Sequence, residues 1–185
     1  MPTLTDTKSI WPRLSVVAVL FGLTAGCQPS NFEMTLDLPE RRQSANPAGA
    51  ITTFLPTPFV FVVNLTDEAK IRNANPPRQA FLKDLSFSIT STARPVGDID
   101  TFDYLNTAEF FVEPTRPGSV LEKVKVAIVP SKQGPTGEFW PSLVSNVNLL
   151  PLLQEGAHLT ATATGVTPPD DVSYSGKIVL SVDVF

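Results

Sequence analysis

Ile178-Val-Leu-Ser-Val-Asp-Val184 places apolar side chains at 178, 180, 182 and 184, with Ser181 and Asp183 between them. Successive side chains of a strand point to opposite faces, so a period of two is the mark of a strand with one buried and one wet face. Leu159-Thr-Ala-Thr-Ala-Thr164 repeats the rhythm with Leu159, Ala161 and Ala163 inward and Thr160, Thr162 and Thr164 outward. Working outward, the same alternation runs through Phe32, Met34, Leu36 and Leu38, through Leu85, Phe87 and Ile89, and through Val124, Val126 and Ile128. A β-branched and aromatic run over 59–65 and the shorter 109–113 complete seven predicted strands.

Helix signals are short. Residues 66–73 predict two turns, with Thr66 as N-cap and acids in the first turn. Residues 100–106 predict a helical turn that buries Phe102 and Leu105. Residues 148–155 predict another, capped by Asn148 and ended by Gly156. Many of the 18 prolines fall between strands, as at Arg94-Pro95, Pro114, Pro117 and Pro168-Pro169, consistent with their missing ladder donor. The longest stretch without a pattern, 39–58, reads as a crossover between two sheets. The expectation is an all-β, antiparallel β-sandwich of seven to eight strands with one to three short helical turns, forming a single domain over 32–185. Strand rhythm alone resembles an immunoglobulin-like sandwich, although the Cys–Trp–Cys core of antibody domains is missing.

Composition narrows the function. The 185 residues are 42% hydrophobic and 17% charged, with a formal net charge of −4. An acidic chain lacks the surplus of Lys and Arg that phosphate backbones require, so nucleic acid is not an expected partner. One cysteine allows no internal disulfide, and one histidine leaves little for a zinc site or a histidine-based triad. No cofactor is called for.

The N-terminus reads as an address. Lys8 and Arg13 precede an uncharged apolar run, 14–23, followed by Thr24, Ala25, Gly26 and Cys27, the only cysteine. Ten helical residues rise about 15 Å, half a hydrocarbon core, which suits a signal peptide and not a spanning helix. Leu23-Thr-Ala-Gly-Cys27 resembles the lipobox of bacterial lipoproteins, with Thr24 where Leu is usual. The resemblance implies signal residues 1–26, cleavage between Gly26 and Cys27, a diacylglyceryl group on the Cys27 sulfur, and a tether over 27–31. Cleavage would take the formal charge to −5 by removing Asp6, Lys8 and Arg13. Residue 28 is Gln and not Asp, which in enteric-type sorting implies the outer membrane over the inner.

Within the domain, Asp98, Asp100 and Asp103 are the densest carboxylate cluster and a weak calcium candidate, since calcium takes several oxygens from a flexible loop. The bland reading is a turn and a helix cap. Asp170 and Asp171 read as a hairpin turn. His158 shares a face with the outward threonines and should be solvated. Thr160, Thr162 and Thr164 form either a flat binding face or a soluble exterior. Phe139 and Trp140 sit in a predicted loop as candidate ligand or partner contacts, or else cap one end of the core. Asn64, Leu65 and Thr66 match a glycosylation acceptor, which carries little weight in a bacterial envelope protein. The expected function is a non-enzymatic, lipid-anchored cell-envelope protein, structural or protein-interacting. The expected partners are the membrane, through the lipid, and another envelope protein or a glycan. The alternative is a small-molecule or glycan-binding lipoprotein that uses the loop aromatics.

Overall fold

A computed structural model describes residues 30–45, 49–90, 100–144 and 146–184. The elements run β1 (Asn31–Gln43), β2 (Ala50–Thr53), β3 (Phe59–Val60), α1 (Leu65–Ile71), β4 (Gln79–Ile89), β5 (Leu105–Pro114), β6 (Val124–Val129), β7 (Glu138–Phe139), β8 (Ser142–Leu143), α2 (Leu150–Glu155), β9 (Ala157–Val166) and β10 (Val172–Asp183). One sheet has the order β1-β10-β4-β7. The other has the order β2-β9-β5-β6-β8, with β3 also paired to β9. All pairings are antiparallel. The expected antiparallel sandwich is therefore the fold.

Its connections are those of a jelly roll. β1 pairs β10, β2 and β3 pair β9, β4 pairs β7, and β5 pairs β6. These are the rungs of one long hairpin. Rolling that hairpin brings β10 against β4 and β9 against β5. An immunoglobulin domain distributes its strands as ABED and CFG, without the pairing of first strand to last seen here. Strand rhythm is the same in both arrangements, so the immunoglobulin-like connectivity is corrected while the sandwich stands.

The two inner faces fill one core. Ile178, Leu180, Val182 and Val184 are all fully buried, as are Leu85, Phe87, Leu159 and Phe110. Phe54, just after β2, is the hub of an aromatic cluster. Its ring lies 4.9 Å from Phe87, 5.5 Å from Phe139 and 4.7 Å from Tyr174. Such pairs add about 0.5–1.5 kcal/mol each beyond the area they bury.

Several local expectations are revised. The run 59–65 pairs only at Phe59 and Val60; Phe61 keeps one bond, to the Ala157 carbonyl at 2.9 Å, and the chain then turns into α1. The cap of α1 is Asn64 and not Thr66, because the Asn64 side chain accepts the Asp67 N–H at 3.2 Å. Residues 100–106 form a turn leading into β5 at Leu105, not a helix; Phe102 and Leu105 are buried as expected, but pairing with β9 decides the backbone. In 39–58 the crossover is real, yet β1 first continues past a bulge between Leu38 and Arg41, and β2 forms at Ala50. In β6 a register shift puts Val126 and Ala127 both inside and leaves Ile128 half-buried, so the expected alternation breaks at that bulge. The N-cap position of α2 is Leu149 and not Asn148, although Asn148, one residue earlier, accepts the Leu150 N–H at 3.1 Å; Gly156 at φ 99 ends the helix as expected.

Candidate functional site

The outer face of β5, β6 and β9 carries the densest set of polar side chains. β9 threonines face out by strand parity, and β5 pairs with them so that Thr107 stands opposite Thr164, Glu109 opposite Thr162, Phe111 opposite Thr160 and Glu113 opposite His158. The Thr107 and Thr164 hydroxyls are 2.6 Å apart. Lys125 Nζ lies 2.6 Å from Glu109 Oε1. Lys123 Nζ lies 3.7 Å from Glu113 Oε2 and 4.2 Å from the Phe111 ring centroid. His158 Nε2 is 3.2 Å from Glu113 Oε1, so this imidazole is half-buried against a carboxylate and less solvated than expected.

Burial alone would raise the Glu113 carboxyl. The neighbouring Thr160 side chain and the charges of Lys123 and His158 outweigh it and hold the group below the ordinary carboxylate range. Acids and bases on this face neutralise one another in adjacent pairs. The result is a flat, hydroxyl-rich sheet surface and not a cleft that converges on a substrate atom. The outer face of the other sheet is likewise polar, with Ser86, Ser88, Ser175 and Lys177 lining a shallow open hollow.

The sequence candidates separate in space. Gly26, Cys27 and Asp98 lie outside the described residues. Asp100 is buried and Asp103 exposed; together they meet Pro168, Pro169 and Asp170 around a small hollow of about 170 Å³. That meeting of two acidic loops was not visible in the sequence, because 67 residues separate Asp103 from Asp170. Among the described residues no group of three His, Cys, Asp or Glu side chains is placed to hold a metal ion. Asp171 ends a connection between the two sheets and not a hairpin, because β9 and β10 belong to different sheets. It accepts the Ala45 N–H at 2.8 Å and pairs with Arg42, and these two contacts lower its pKa.

Phe139 and Trp140 part company. Phe139 is buried, with ring centroids 5.2 Å from Phe87 and 4.7 Å from Phe102, so it is a core residue and no surface contact. Trp140, the residue after β7, is by contrast 61% exposed. Among the described residues no helix is long and apolar enough to cross a membrane.

The fold defines an all-β sandwich of jelly-roll connectivity. The sequence matches no protein-family model and no curated protein. Among solved structures, the chain is similar to the BFDV capsid protein in a decameric crystal structure, with a TM-score of 0.36 and 9% identity over 82% of this chain and 98% of that one. A 60-mer crystal structure of the BFDV capsid protein gives a TM-score of 0.33 and 11% identity over 85% and 96%. The structure of black queen cell virus gives 0.28 and 11% over 98% and 84%.

Proposed function

We propose that this chain is a lipid-anchored protein of the bacterial cell envelope, acylated on Cys27, whose sandwich is a non-enzymatic structural or protein-interaction module. The observation that carries the reading is Leu23-Thr-Ala-Gly-Cys27, placed after a basic start and an apolar run of signal-peptide length. Two or more acyl chains give stable attachment where one gives only marginal binding. Gln28 favours the outer membrane over the inner. Flat outer faces whose charges are already paired suit a partner surface better than a reaction centre. The test is metabolic labelling with radioactive palmitate in the wild type and in Cys27→Ser. Label confined to the wild type, with the variant released from the membrane fraction, is the expected result. Equal label in both would show that Cys27 is not the acceptor.

One observation favours a second reading, a glycan- or small-molecule-binding lipoprotein: Trp140, the only tryptophan left after cleavage at Cys27, is mostly exposed. Quenching of its fluorescence by a saccharide panel would support that reading. An unchanged spectrum leaves the interaction module.

A further inference from the structure

We infer that the loops at one end of the sandwich form a lipid-facing surface, in which Val62, Ile71 and Val120 enter the bilayer interface and hold the domain upright. The inference rests on the anchor reading above. The three most exposed large apolar side chains among the described residues are Val120 at 94%, Val62 at 89% and Ile71 at 75%. Isolated exposed valines are ordinary on a protein surface. Their shared location is what carries the argument.

The backbone bonding fixes that location. Asn31 pairs with Asp183, and Asp183 with Gln79, so the beginnings of β1 and β4 and the end of β10 share one end of their sheet. α1, which ends at Ile71, is at this end, because the Arg72 guanidinium stands 5.0 Å over the Phe32 ring. The Leu149 N–H reaches the Ala80 carbonyl at 2.7 Å, which brings the start of α2 to the same end. α2 leads through Gly156 to Ala157, whose carbonyl accepts the N–H of Phe61, the residue before Val62. The Gly156 carbonyl accepts the N–H of Thr115, the first residue of the loop that carries Val120. Val62 and Val120, each in a loop, and Ile71, at the end of α1, therefore lie at the end of the sandwich that holds the start of β1.

Chain length then brings this end to the bilayer. Cys27 and Asn31 are four residues apart, a reach of about 14 Å when fully extended. β1 alone, at 13 residues, is about 43 Å long. An acylated Cys27 would keep the Asn31 end within about 14 Å of the anchored sulfur, beside the headgroup layer, while the far end, with Val166, stands several times farther away. The alternative of lying flat would press the charged and hydroxyl-bearing sheet faces onto lipid. Within α1, Lys70 pairs with Asp67 and Arg72 with Glu68, so the charges beside Ile71 cancel locally and apolar insertion rather than headgroup attraction makes the contact there.

The experiment uses the full chain, acylated in cells and reconstituted into vesicles of phosphatidylethanolamine and phosphatidylglycerol. Val62→Cys, Ile71→Cys and Val120→Cys are each labelled with a polarity-sensitive NBD probe, since acylated Cys27 presents no thiol. Val166→Cys, 60% exposed at the opposite end, is the control. The expected result is a blue-shifted emission at 62, 71 and 120 that doxyl-labelled lipid quenches, with neither effect at 166. Palmitate on the chain together with water-like emission at all four positions would overturn the docking surface and leave the anchor standing. A chain without palmitate would remove the anchor and this inference together.

Discussion

Tyr174 on β10 stacks on Phe54, with centroids 4.7 Å apart and planes 18° from parallel, and its hydroxyl donates to the Phe54 carbonyl. One side chain thus joins a strand of the first sheet to the backbone that follows β2 in the second. Phe54 sits in a bend where no ladder partner is at hand, so the phenol supplies what the sheet does not.

Tyr174→Phe should keep the stack and lose the donor. A buried carbonyl left without a partner costs about 1–3 kcal/mol. Urea denaturation should show the unfolding free energy falling by that amount, through a lower midpoint at an unchanged slope. A midpoint equal to wild type would mean that water or another donor serves Phe54.

Both tyrosines of the chain are buried, and burial raises the pKa of each above its ordinary value; for Tyr104 the neighbouring Tyr174 and Asp100 add to the effect. A folded pKa above the unfolded one leaves stability intact below about pH 10 and removes it as pH rises further. Absorbance at 295 nm during alkaline titration should therefore rise in one cooperative step, together with loss of the β signal in circular dichroism. Gradual ionisation of a still-folded protein would contradict the burial.

Glu113 has the opposite sign. Its folded pKa lies below the ordinary value, so its contribution is present above the unfolded carboxylate pKa and fades as pH falls through the folded one. Acid unfolding of Glu113→Gln should depend less steeply on pH in that window than wild type does. Identical curves would show that the His158 and Lys123 contacts are not formed in solution.

The strand phase can be tested by four melts. Phe87→Ala should cost about 3–5 kcal/mol and Leu180→Ala about 2–5, since both are fully buried. Ser86→Ala and Ser181→Ala, one position out of phase, should be near neutral. Serine variants that melt as early as the core variants would place the outer face inside.

Gly165 is fixed by proximity and not by its own torsion. A Cβ there would stand 2.1 Å from the Tyr104 carbonyl oxygen and 3.1 Å from Ile51 Cδ1. Gly165→Ala should cost on the order of 1–3 kcal/mol through a forced backbone shift. A neutral result in the melt would show that β5 and β9 separate easily at this register shift.

What the sequence by itself determined is the period of two. The parity of 159–164 and 178–184 predicted every buried residue in those runs, because facing water or core is a local consequence of strand geometry. The proposed anchor motif, Leu23 to Cys27, is likewise a linear pattern that needs no fold to be legible. Tertiary structure decided the rest. Phe139 and Trp140 are one step apart in sequence, and only the pairing of Phe139 with Phe87 assigned one to the core and the other to solvent. The turn at 102–104 looked helical until β9 offered β5 a ladder. The bulge in β6 turned its expected alternation out of phase. Jelly-roll connectivity depends on pairing β1 with β10, about 150 residues away in the chain, and no local pattern records which distant edge a strand will meet.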